Sequence, residues 1–152
     1  MSINITGLGF HIKVKNFSQS LAFYKALGFK QVFAYGPRQK VREDYNGVVF
    51  EHGGAKLEIA EGHRAVKPSV FSQSVRSSKI SLMIHVKSLK RIIRLCQKAG
   101  VPISVAPRHY YWGTLELVVK DPDGTVLVFI TPYSKKEALH INADESFGQN
   151  PN

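Results

Sequence analysis

Three side chains able to hold or pass a proton stand on alternating segments of this 152-residue chain: His11 in GFHIKV, Glu58 in AKLEIA and His85 in SLMIHV. A carboxylate beside an imidazole can act as general base or acid when burial tunes their pKa values. A binding pocket uses the same pair to orient a polar ligand, so these residues alone leave catalysis and recognition both open. Period two sorts their neighbours onto faces. With Phe10, Ile12 and Val14 turned to a core, the opposite face carries Gly9, His11 and Lys13, then Lys56, Glu58 and Ala60, then Ser81, Met83 and His85. Thr114, Glu116 and Val118, with Val126, Val128 and Ile130, extend it. An apolar flank with a few convergent polar groups is the usual make-up of a small-molecule site. Tyr110, Tyr111 and Trp112 open an expected strand near its mouth, where flat rings stack on a planar ligand or simply close a core edge. No nucleophile elbow, phosphate loop or dinucleotide fingerprint accompanies them. Asp121-Pro-Asp-Gly124 reads as turn chemistry rather than as an acid pair.

The elements that must position these residues come from a duplication. Gly9–Gly28 recurs without a gap as Ser81–Gly100, 72 positions on, and Gly54–Ile59 echoes in Gly124–Phe129 at an offset of 70. Each copy reads as a strand, then a helix opened by Asn16 or Ser88 and closed by Gly28 or Gly100. In the first copy Gln19 can reach back to the Asn16 cap, and Phe17, Leu21, Tyr24 and Leu27 form the buried stripe. Strands are expected over about Lys30–Tyr35, Val41–His52 and Ala55–Ala60. The second copy predicts a strand Lys79–Val86, a helix Ser88–Ala99, and strands Val101–Val105, Tyr111–Lys120 and Thr125–Ile130. The fold class is therefore α+β: two tandem β-α-β-β-β modules forming a shared concave mixed sheet, with helices on the convex side and a cleft between the modules. Residues 1–132 read as a single domain, with module one at about 6–61, a connection at 62–78 and module two at about 79–132. The Ser-rich connection is expected as a mobile lid, and 133–152 as a polar C-terminal tail whose end, DESFGQNPN, frays.

Composition narrows the classes. No apolar run approaches the roughly 18 residues of a membrane span, and the start MSINITGLGF has neither the basic nor the apolar region of an export signal, so a cytoplasmic location is expected. The single Cys96 falls in the apolar set Leu89, Ile92, Ile93, Cys96 and reads as a buried hydrophobe. The chain carries 21 Lys and Arg against 11 Asp and Glu. Lys87, Lys90, Arg91, Arg94 and Lys98 form a basic stripe at helical spacing, a solvated face or a surface for an acidic partner. With no nucleic-acid motif and no aromatic residues interleaved among these cations, nucleic acid is not the expected partner.

The duplicated order, with HIKVKNFSQSLAFYKALGF early and YYWGTLELVVKDPDGTVLVF late, resembles the vicinal oxygen chelate superfamily, the group of glyoxalase I, fosfomycin-resistance enzymes, extradiol dioxygenases and bleomycin-resistance binding proteins. The resemblance spans about residues 6 to 132 and implies the fold rather than any one activity. Enzymes of that group hold a divalent metal with two positions per module, which fall here on Gly9, Glu58, Ser81 and Val128; only Glu58 keeps a good ligand, so no cofactor is expected. The resemblance then implies a metal-free protein of the bleomycin-resistance type, binding an organic, anionic or aromatic small molecule through His11, Lys13, Glu58, Met83, His85, Trp112, Glu116 and Val128. The alternative is a metal-dependent lyase, transferase or dioxygenase of the glyoxalase type, with one divalent ion displaced onto His11, Glu58 and His85. A third reading is an interaction module that binds an acidic partner through the basic second helix. A homodimer is expected, because many relatives pair and small curved sheets leave edges to cover.

Overall fold

The computed structural model describes residues 7–64, 66, 67, 69 and 80–148. The chain divides into two compact units, Met1–Val75 and Arg76–Asn152, and the expected strand-helix-strand-strand-strand order appears once in each. The first contains β1 (Gly9–Lys13), α1 (Phe17–Ala26), β2 (Gln31–Tyr35), β3 (Gly47–His52) and β4 (Ala55–Ala60). The second contains β5 (Ser81–His85), α2 (Leu89–Ala99), β6 (Ile103–Tyr110), β7 (Thr114–Lys120) and β8 (Val126–Pro132), followed by α3 (Lys135–His140). Each unit builds a four-stranded mixed sheet, ordered β1-β4-β3-β2 and β5-β8-β7-β6, in which only the first and last strands of the module run parallel. The fold is α+β.

Local chemistry explains the helix limits. Asn16 accepts the Gln19 backbone N–H at 3.0 Å, which satisfies one of the open donors of the first turn of α1. Gly28 then turns the chain at φ 90°, a conformation that costs least without a Cβ, and Gly100 does the same after α2 at φ 67°. Tyr24 and Leu27 bury against the first sheet, where Tyr24 meets the edges of Phe29 and Phe23 and the tilted ring of Phe50. In the second unit Leu89, Ile92 and Cys96 are buried, as are Leu115, Leu117, Val119, Leu127 and Phe129 of the sheet. Cys96 is 1% exposed, and burial pushes its thiol pKa up, so it behaves as the small hydrophobe its setting predicts.

Three expectations are corrected. The third strand starts at Gly47, not Val41: residues 36–46 form a loop in which Val41 makes only an isolated bridge to Tyr35, after Gly36 and Pro37 interrupt the alternation. Strand β6 runs on to Tyr110 instead of stopping near Val105, because two register shifts let it pass Pro107 without a continuous ladder. As a result Tyr111, Trp112 and Gly113 form the turn between β6 and β7, not the start of a strand. Finally, Asp144 to Gly148 do not fray. Asp144 exchanges backbone hydrogen bonds with Pro107 and His109, and the His109 ring stacks on Tyr133 at 3.6 Å. Most of the expected lid, together with residues 149–152, lies outside the described residues.

Candidate functional site on the first module

Parallel pairing of β1 with β4 sets His11 opposite Glu58. Both side chains leave the sheet on one face, and the His11 Nε2 stands 4.0 Å from Glu58 Oε1. The Nε2–H donates to the Gly62 carbonyl at 3.1 Å, which selects the ring's tautomer, and the His63 ring meets His11 edge-on at 4.5 Å. Burial lowers the His11 pKa below its ordinary value; Glu58 opposes the shift and His63 adds to it, so the imidazole is neutral at pH 7. Glu58 receives a second partner from β2: the Tyr35 hydroxyl donates to Oε1 at 2.5 Å. Burial and this bond raise the Tyr35 pKa, so the phenol keeps its proton and remains a donor.

The reach of Tyr35 depends on a glycine. Tyr35 and Gly47 face each other in the antiparallel β2–β3 pair, and a Cβ on Gly47 would overlap the phenol ring and hydroxyl. Only hydrogen at this position lets the ring lie across β3 and deliver its hydroxyl to Glu58 on the next strand. Beyond β4, Glu61 accepts both the backbone N–H and the side-chain amide of Asn46, at 2.8 and 3.0 Å, which ties the segment bearing Gly62 to the loop before β3.

Two concavities flank Glu58. One, of about 610 Å³, is lined by Gly9, Phe10, His11, Val32, Phe33, Val49, Glu51, Lys56 and Glu58. The other, of about 480 Å³, is lined by Tyr35, Val41, Arg42, Glu43, Tyr45, Glu58, His63 and Arg64. In the second, Arg64 pairs with Glu43 and with Asp44. The first is the better receptacle for an uncharged or amphipathic organic group, since exposed Phe10, Val32 and Phe33 line it together with the polar His11, Lys56 and Glu58.

Of the expected site residues, the structure brings His11 and Glu58 together, while Lys13 lies exposed on β1 outside the cavity lining. Met83, His85, Trp112, Glu116 and Val128 belong to the second unit. There β5 and β8 repeat the β1–β4 pairing, and the positions equivalent to His11 and Glu58 hold Met83 and Val128, register partners with no strong donor. Met83 is 66% exposed. Glu116 is engaged internally: it accepts the Trp112 indole N–H at 2.8 Å and the Thr114 hydroxyl at 2.5 Å. Trp112 stacks on Tyr110 at 4.5 Å with nearly parallel planes. Sequence reasoning missed Tyr35, Gly47 and His63. A glycine opposite an aromatic residue in a hairpin pair was the available signal for the first two.

Gly9 and Val128 have no side-chain donor, and the His11 nitrogen nearest Glu58 presents a proton to Gly62 rather than a lone pair. Among the described residues, no group of three or more His, Cys, Asp or Glu is arranged to hold a metal.

Comparison with known proteins agrees with this architecture. The model of the Glyoxalase/Bleomycin resistance protein/Dioxygenase superfamily matches residues 7–129. Among solved structures, a family enzyme from Burkholderia phytofirmans aligns with TM-score 0.64 at 16% identity, covering 82% of this chain and 97% of that one. The fosfomycin resistance protein FosX from Listeria monocytogenes, complexed with Mn(II) and sulfate, aligns at 0.58 and 15%, covering 90% and 99%. The bleomycin resistance determinant encoded on transposon Tn5 aligns at 0.55 and 24%, covering 87% and 100%. At these identities the likeness is one of fold. No curated protein sequence matches significantly. Because the family model spans most of the chain and both modules, the protein belongs to the Glyoxalase/Bleomycin resistance protein/Dioxygenase superfamily.

Proposed function

We propose that this protein is a metal-free small-molecule-binding protein of the bleomycin-resistance type, holding an organic ligand against the β1–β4 face of its first module. The observation that carries the reading is the 610 Å³ concavity, in which Phe10, Val32, Phe33 and Val49 offer apolar area beside His11, Lys56 and Glu58. Neutral His11 and protonated Tyr35 leave Glu58 as the acceptor for a ligand N–H or O–H, and Lys56 suits an anionic substituent. Native mass spectrometry of the purified protein identifies a retained ligand. Glu58→Gln then weakens its binding by about 1.5 to 3 kcal/mol, roughly tenfold to 150-fold, the range for a hydrogen bond to a charged group. An affinity unchanged by Glu58→Gln refutes this site.

The 4.0 Å approach of His11 to Glu58 supports a second reading, a glyoxalase-type lyase, transferase or dioxygenase whose divalent ion is displaced toward His11. Elemental analysis separates the two: near-stoichiometric Zn, Ni, Mn or Fe, lost in both His11→Ala and Glu58→Ala, establishes the displaced site. We also propose a homodimer, supported by the edge strand β2, whose Val32 and Phe33 are 49% and 45% exposed. Sedimentation at a single 17.0 kDa mass at high concentration excludes it.

A further inference from the structure

The outer face of α2 is built against its own stability. Arg91, Arg94 and Lys98 fall at i, i+3 and i+7, a stripe about 60° wide and about 10 Å long, and Lys87 extends it just ahead of the helix. All four are exposed, and no ion pair among the described residues involves them. Like charges at these spacings repel. The first turn contains no acidic residue, so Lys90 and Arg91 add to the positive end of the helix dipole instead of offsetting it. A carboxylate does reach this end, Glu137 of α3, but it is turned inward: it accepts the Ser88 hydroxyl at 2.8 Å and the Lys90 backbone N–H at 3.1 Å. Beside it, Lys135 and Lys136 bring two more exposed cations.

What this face lacks decides its partner. Leu89, Ile92 and Cys96 of α2 point the other way and are buried, Ile93 and Leu95 are half-buried beside them, and between the cations the exposed stripe offers no aromatic or aliphatic anchor. A protein interface draws most of its energy from such anchors. A row of cations alone suits a partner whose charge repeats regularly and whose recognition needs no apolar contact, the phosphate backbone of a nucleic acid. The missing motif and the missing interleaved aromatics, which count against nucleic acid in the sequence, bear on base reading and base stacking; contact with a duplex backbone needs neither. We propose that α2 docks nucleic acid through Lys87, Arg91, Arg94 and Lys98, without sequence preference and independently of the first-module cavity.

The test is fluorescence anisotropy of the full chain with a labelled 20-base-pair duplex of arbitrary sequence, titrated from 50 to 200 mM salt. Four phosphate contacts give a log–log slope of about −3.6, so affinity falls about 150-fold across that range. Arg91→Gln/Arg94→Gln, both exposed positions, removes two contacts, and the fall shrinks to about 12-fold. The matched control Lys30→Gln/Lys40→Gln on the first unit leaves the slope at its original value. A double variant with unchanged slope, a control that lowers the slope equally, or a poly-glutamate peptide that binds this face while the duplex does not would each overturn the proposal.

Discussion

Gly47→Ala tests the geometry of the candidate site without touching any polar group in it. The added methyl would occupy the space of the Tyr35 ring, so the ring must swing off β3 and its hydroxyl must leave Glu58. Overpacking of this kind costs about 1 to 3 kcal/mol. The lost hydrogen bond adds about 1 kcal/mol, below the usual range for a charged acceptor, because the Glu58 side chain is 33% exposed and water replaces part of what is lost. The expected cost is therefore about 2 to 4 kcal/mol. In a Tyr35→Ala background the obstacle is absent, and the same change should be neutral or stabilising by about 0.5 kcal/mol, since alanine is the better strand residue. The coupling read from this double-mutant cycle is about 2 to 4.5 kcal/mol. Urea denaturation of the four proteins, followed by far-UV circular dichroism, measures it. Equal costs of Gly47→Ala in the two backgrounds would show that the ring does not lie across β3.

The other perturbations are simpler. Removing the Glu137 carboxylate (Glu137→Ala) opens the N-terminus of α2, because the Ser88 side chain makes no capping bond of its own; a loss of about 1 kcal/mol and faster amide exchange at Lys90 are expected. Burial alone would raise the Glu137 pKa, but hydrogen bonds from the Lys90 N–H, the Ser88 hydroxyl and the Leu89 N–H together lower it. Its contribution is thus complete above about pH 4.5, is lost as pH falls through the depressed value, and vanishes from the wild-type minus Glu137→Gln difference if the capping is wrong. For His11, whose folded-state pKa burial lowers, the unfolded chain binds the proton more tightly. Stability from this residue is full above about pH 6.5 and declines as pH drops through the folded pKa, and His11→Gln should flatten that decline in urea midpoints between pH 5 and 7.5.

Much of the fold could be read from the chain because its strongest signals are local. The Asn16 cap, the glycines after both helices and the Asp121 turn each satisfy backbone groups within four residues. Asp121 indeed accepts the N–H groups of Asp123 and Thr125 at 2.9 and 2.7 Å. The His11–Glu58 pair was equally accessible, since two alternating strands in a duplicated order must meet in register. Tyr35, His63 and the inward turn of Glu116 were not, because each depends on a loop: residues 36–46 bring β2 to β3, the turn after β4 places Gly62, and the β6–β7 turn folds Trp112 back on its own strand. Loop lengths follow from where bulges and prolines interrupt pairing, and a single chain gives no rule for that. The tail misled for a different reason. Its polar composition signals solvent contact, but Glu137 and Asp144 are polar because they bond to backbone that would otherwise be unsatisfied.

Family resemblance and folding unit do not share a boundary in this chain. The segment matched by the superfamily ends at residue 129, yet β8 continues to Pro132, the α2 cap comes from Glu137, and the partner of β6 comes from Asp144. A protein trimmed to the matched segment would keep every residue of the first-module cavity while losing the atoms that close one helix and one sheet edge of the second. A fusion or deletion that spares the cavity should therefore retain residues through Gly148, and ligand binding that survives such trimming at reduced thermal stability would mark the two modules as energetically separable.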